Sequence, residues 1–150
     1  MLYIESSGTY QPDLPPNFMK IFNGIFCFLF IVFAALQYND ADPYIWIPLY
    51  LYSALLCGAA VAGRYYPKAY LSGIVVYAAY AVYKVFDENG LLDWLNLHDA
   101  ENLAETMKAG KPWIEESREF FGLVLLITVM LVNLIASKRR QDNRANSATR

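Results

Sequence analysis

Two short polar stretches hold the side chains whose types and spacing could do chemistry. One is Gln37-Tyr38-Asn39-Asp40-Ala41-Asp42-Pro43, followed by Trp46. The other is Glu115-Glu116-Ser117-Arg118-Glu119-Phe120-Phe121-Gly122. Paired carboxylates can exchange protons with a substrate or hold a divalent cation, and a guanidinium beside them can grip a carboxylate through two parallel hydrogen bonds. Local duties account for part of the first stretch. Asp42-Pro43 reads as an N-cap followed by the first helical residue, where proline's missing donor costs nothing. Asn39 suits the turn, and Gln37 can cap carbonyls at the end of the preceding helix, while Asp40 has no obvious local duty. In the second stretch Pro112 opens a helix, so the acids fall in its first turns and suit its dipole. Spacings of three and four place Glu115, Arg118, Glu119 and Gly122 on one helical face, and Gly122 leaves room there for another helix or a bulky side chain. Arg118 is expected to pair with Asp40 or Asp42. The candidate cluster is therefore Gln37, Asn39, Asp40, Asp42, Trp46, Glu115, Arg118 and Glu119.

Other chemistries find less support. His98 is the single histidine; beside Asp99 and Glu101 it suits a solvated loop better than a metal site, and it excludes an internal bis-histidine haem. Cys27 and Cys57 each lie mid-way along an apolar block, outside any ligand-spaced cluster, and read as free buried thiols. No metal and no cofactor is expected. The net charge of −2 and the lack of a basic stripe with interleaved aromatics exclude a nucleic-acid partner.

The elements that position these residues are apolar. The sequence is 57% hydrophobic, 16% aromatic and 17% charged, and the charges fall between four apolar blocks. These run from about Phe18 to Leu36, Tyr44 to Gly63, Ala69 to Phe86 and Phe120 to Ala136, each close to the length of about 20 residues that crosses a bilayer. The fold expected is an all-α membrane protein, a four-transmembrane-helix bundle, with a short amphipathic segment around Leu91–Leu97 in the loop between helices 3 and 4. The organisation expected is a polar N-terminal segment over 1–17, the transmembrane domain over 18–137 and a basic tail over 138–150. A cleaved signal peptide fits poorly, because about twenty polar, proline-rich residues precede the first block.

Lysine and arginine set the orientation. Arg64 and Lys68 flank the second connection, and Lys138, Arg139 and Arg140 follow the last block, whereas the first and third connections are acidic. Both termini are expected in the cytoplasm, of a bacterial inner membrane, and the two polar stretches on the outer face. Small residues such as Gly58 with Ala62, Ala59 with Gly63 and Ala69 with Gly73 mark close helix approaches. Tyr70, Tyr77, Tyr80 and Tyr83 on the third block suit interhelical packing and hydrogen bonding, a ligand or quinone pocket being the alternative.

At the two polar stretches the chain resembles the transmembrane protein 220 family. The resemblance lies in a Gln-x-Asn-Asp-x-Asp turn followed by Trp and Tyr, matched by Gln37, Asn39, Asp40, Asp42, Trp46 and Tyr50. It lies also in a Glu-x-x-Arg-Glu-x-x-Gly-Leu-Val segment, matched by Glu115, Arg118, Glu119, Gly122, Leu123 and Val124. It covers roughly Phe18 to Ser137, leaving out the N-terminal segment and the loop around Trp94. It implies the fold and the site and carries no reaction with it.

Three functions are compatible with this pattern. The favoured one is a non-enzymatic accessory or interaction module whose carboxylate/Arg cluster fixes its conformation. A lipid- or small-molecule-binding protein would use the same cluster as its site; against a carrier, the membrane midplane lacks an ionisable side chain. A small membrane enzyme is the third, and lacks the cationic cluster that an anionic tripeptide substrate would need. The partners expected are the bilayer and either another membrane protein or a lipid headgroup.

Overall fold

The computed structural model describes residues 17–40, 42–86 and 112–149, with side chains in the last range from 116 onward. The N-terminal segment, the expected amphipathic segment around Leu91–Leu97 and His98 lie outside the described residues.

Four helices follow the apolar blocks: α1 (Phe18–Leu36), α2 (Pro43–Val61), α3 (Pro67–Phe86) and α4 (Pro112–Ala148). A 3-10 turn, Gln37–Asn39, connects α1 to the start of α2. All four helices contain stretches long and apolar enough to cross a membrane. Helices are the natural solution there, because each backbone donor and acceptor is satisfied within its own segment. Proline sets three of the starts, at Pro43, Pro67 and Pro112, where the first-turn N–H would have no partner. At the other end of α2, Gly63 takes a left-handed conformation, φ 78°, and Arg64 N–H returns to Ala59 O at 2.9 Å. This stops the helix and turns the chain toward α3.

The helices alternate in direction and associate as two close pairs, α1 with α2 and α3 with α4. In the first pair, Gly58 faces the Cys27 thiol, while Phe30 and Phe33 meet Tyr50 toward the other membrane face. A run of rings climbs α1 at four-residue spacing, Phe18, Phe22, Phe26 and Phe30. It continues through Tyr50 and Trp46 of α2 to Tyr80 of α3. In the second pair, α4 packs through residues spaced alternately three and four apart: Leu123, Leu126, Met130, Asn133 and Ser137, all buried. That spacing is the signature of shallow-angle packing between neighbouring helices.

Polar rungs join the two pairs. Tyr77 donates to Leu49 O at 3.1 Å and shares a 2.8 Å hydrogen bond with Ser53. Toward the chain termini, Tyr70 donates to Leu56 O at 3.5 Å, and Tyr52 donates to Ala69 O at 2.9 Å. Tyr70 and Tyr77 of the third block thus make hydrogen bonds to α2, while Tyr80 and Tyr83 stack on one another. Tyr70, Tyr77 and Lys84 are seven residues apart and buried on the same face of α3, which makes Lys84 the next rung of the same seam.

The last helix is longer than its apolar block. Its 37 residues span about 55 Å, against a hydrocarbon core of about 30 Å. The basic tail from Lys138 onward continues the helix to Ala148.

Replacing Tyr77 by Phe removes both of its hydrogen bonds while keeping the ring. The expected cost is about 1 kcal/mol, read as a lowered unfolding midpoint in detergent. Ser53→Ala in the Tyr77→Phe background should add little, since the two changes remove one shared interaction.

Candidate functional site

At the end of the bundle opposite the start of α1, α3 ends, α4 begins and α2 starts. Lys84 lies in the last turn of α3 and is 4% exposed. Its ammonium is held between two carboxylates of α4: Glu116 Oε2 at 2.5 Å, and Glu119 Oε2. The indole N–H of Trp46 donates to the other oxygen of Glu119, at 2.7 Å. One carboxylate thereby joins α2, α3 and α4: Oε1 accepts the indole hydrogen bond, and Oε2 forms an ion pair with Lys84 without a hydrogen bond of its own. The Tyr80 ring lies beneath the Lys84 ammonium, 5.4 Å away, and against Trp46, with centroids 5.7 Å apart. Burying an ammonium is costly unless counter-charge and hydrogen bonds come with it; here both glutamates supply counter-charge from one helical turn, and Glu116 accepts the hydrogen bond.

Local sequence explains each position. Trp46 falls in the first turn of α2 because Asp42-Pro43 starts the helix; Asp42 O accepts from Ile45 N–H at 3.1 Å and from Trp46 N–H at 3.3 Å. Glu116 and Glu119 extend the α4 stripe backward, at the same three-and-four spacing as Leu123 and Leu126. A fourth close approach lies beside the network. A Cβ added at Gly122 would come within 2.8 Å of the Tyr50 hydroxyl, so glycine there lets the tyrosine reach α4. The Gln37 side chain approaches that hydroxyl from the turn.

The expected cluster is thus brought together in part. Trp46 and Glu119 meet directly, and Gln37 reaches Tyr50 next to them. Asp42 serves as the N-cap residue by position, but its carboxylate accepts from the Tyr44 hydroxyl at 2.8 Å and not from the helix backbone. Asn39 is exposed in the 3-10 turn and Asp40 is half-buried. Glu115 lies in α4, its side chain outside the described residues. Arg118 is exposed. The packed face of α4 is phased on Glu116, Glu119 and Leu123, which turns Arg118 outward. The cation of the network is Lys84, a residue outside the cluster expected from the sequence. Its seven-residue spacing from Tyr77 and Tyr70, which puts it on their buried face, is the sequence signal that could have found it. Among the described residues no group of His, Cys, Asp and Glu is arranged to hold a metal ion.

Gly122→Ala should drive a methyl group into the Tyr50 hydroxyl, lowering stability by roughly 1–3 kcal/mol. Tyr50→Phe should recover most of that loss in the double variant, as measured by thermal unfolding of the solubilised protein.

Comparison with known proteins agrees with this architecture. The family model described as "Transmembrane family 220, helix" matches residues 29–135, which include the turn, all of α2 and α3, and the Lys84–Glu116–Glu119 network. No curated protein and no solved structure matches the chain. With more than two thirds of its length under that model, and four helices fit to cross a bilayer, the chain is an integral membrane protein that belongs to transmembrane family 220.

Proposed function

We propose that the protein is a non-enzymatic accessory or interaction module of the membrane, and that the Lys84–Glu116–Glu119–Trp46 network is the latch that fixes its shape. One observation carries this reading: Glu119 is held from two sides, by a hydrogen bond from Trp46 to one oxygen and by an ion pair with Lys84 at the other. A general base needs an oxygen open to its substrate, whereas a latch needs every group occupied. The network also sits where the two helix pairs meet, the place at which one satisfied carboxylate does most to fix their relative position. The partner proposed is another membrane protein, docked on a surface whose geometry the latch maintains. We also infer that the termini lie in the cytoplasm, with the latch on the outer side of a bacterial inner membrane. Arg64, Lys68 and Lys138 to Arg140 at the terminal face support this.

Lys84→Met leaves two glutamates facing each other without a cation. It should destabilise the bundle by roughly 3–5 kcal/mol. Replacing all three, Lys84→Met with Glu116→Gln and Glu119→Gln, should recover much of the loss, because the neutral set no longer strands a buried charge. Chemical cross-linking in intact membranes should then trap a protein partner with the wild type and with the triple variant. Loss of the latch charges that abolished a measurable turnover while leaving the fold intact would instead favour catalysis. A small molecule released from the wild type and absent from the triple variant would favour a ligand site. Orientation is checked separately: a reporter enzyme that functions only in the cytoplasm should be active when fused after Arg150.

A further inference from the structure

The membrane face that carries the termini holds a second charged grouping, remote from the latch. The packed stripe of α4 does not end at Ser137. Continued at the same spacing, it reaches Arg140 and then Arg144, both on the helix that runs to Ala148. The guanidinium of Arg140 lies over the Tyr65 ring, 4.6 Å from its centroid. Tyr65 belongs to the α2–α3 connection, between Arg64 and Lys68, and both of these are exposed. The Tyr65 hydroxyl is buried without a hydrogen-bond partner. One guanidinium therefore lies on the tyrosine, with Arg64 and Lys68 close to it in the chain and Arg144 about one helical turn beyond Arg140. The nearest acid in sequence, Asp142, falls on the opposite side of α4, because two residues turn a helix by more than half a revolution. Like charges that converge in this way repel one another unless an anion lies between them.

We propose that this grouping is a binding site for the headgroup phosphate of an anionic phospholipid. Arg140 is pre-set by its stacking on Tyr65, and a planar guanidinium suits phosphate oxygens. Arg64, Lys68 and Arg144 supply the surrounding positive field, and the Tyr65 hydroxyl is the donor still without an acceptor. Depth selects a lipid over a soluble acidic partner. Tyr65 and Tyr66 lie between the end of α2 and the start of α3, at the level where the apolar spans stop and headgroups begin. Basic groups gathered at that level between spanning helices are suited to acidic headgroups. The site is independent of the latch and of the function proposed for it.

The test uses the full chain in bilayer discs made from equal amounts of phosphatidylcholine and phosphatidylglycerol, with retained lipids read by native mass spectrometry. Wild type should keep phosphatidylglycerol in preference to phosphatidylcholine. Arg140→Gln with Arg144→Gln should lose that retention roughly tenfold. Lys138→Gln with Arg139→Gln removes the same charge from other sides of the helix and should retain the lipid as wild type does. Tyr65→Phe should weaken retention about threefold with the helical circular dichroism spectrum unchanged. Equal retention of the two lipids by wild type, or an equal loss in the two double variants, overturns the proposal. If the Arg140/Arg144 variant fails to fold, Tyr65→Phe decides alone, and undiminished retention there overturns it. Inorganic phosphate that raised the melting temperature as far as phosphatidylglycerol does would assign the site to a soluble anion, and would also overturn the lipid reading.

Discussion

An ammonium group inside a helical bundle in lipid must bring its counter-charge with it. Lys84 meets that requirement with Glu116 and Glu119, one turn apart on α4, and the rest of the molecule is arranged around this. For the lysine to reach both acids, the end of α3 has to lie against the first turns of α4. For Glu119 to be satisfied at its second oxygen, the indole of Trp46 has to arrive from α2. Hydrocarbon offers no water to substitute for a missing partner, so displacement of any one of the three helices strands a polar group in the others. The network fixes geometry first and contributes net stability second, because desolvation consumes much of what the charges gain from each other.

The seam between the helix pairs extends the same principle with neutral groups. Hydrogen bonds between helices in a membrane are each worth little, about 0.6 kcal/mol on average. Their effect lies in register. Tyr70, Tyr77 and Lys84 repeat every seven residues and meet Leu56, Leu49 with Ser53, and the latch in turn. Sliding α3 along α2 breaks all of the rungs together, which gives a set of weak bonds the selectivity of a strong one.

Most of the fold was legible because lipid imposes so plain a demand. The first block coincides with α1, the next two differ from α2 and α3 by a residue or two, and Pro112 was recognised as the opening of α4. The site was legible only in part. Trp46 and Glu119 are conspicuous as polar-capable residues at the ends of apolar blocks, and Gly122 as a gap. Lys84 was not, since a lysine near a helix end ordinarily extends to the headgroups. Arg118 attracted attention as the arginine among acids, yet helix phase is set by the apolar stripe below it. Shifting the face by one residue exchanges Glu115 and Arg118 for Glu116. Charge type suggested which residues could pair, and only the packing of Leu123, Leu126 and Met130 decided which of them did.

The stripe along α4 has a mechanical consequence. It begins with Glu116 and Glu119 at one surface of the membrane and arrives, without a break in spacing, at Arg140 over Tyr65 on the other. A continuous helix is torsionally stiff, so α4 behaves as an axle keyed at both ends. Inserting a single residue within it would swing one key about 100° relative to the other. No side-chain adjustment could realign them, so the length of this helix between its two keys is as much a part of the design as the residues themselves.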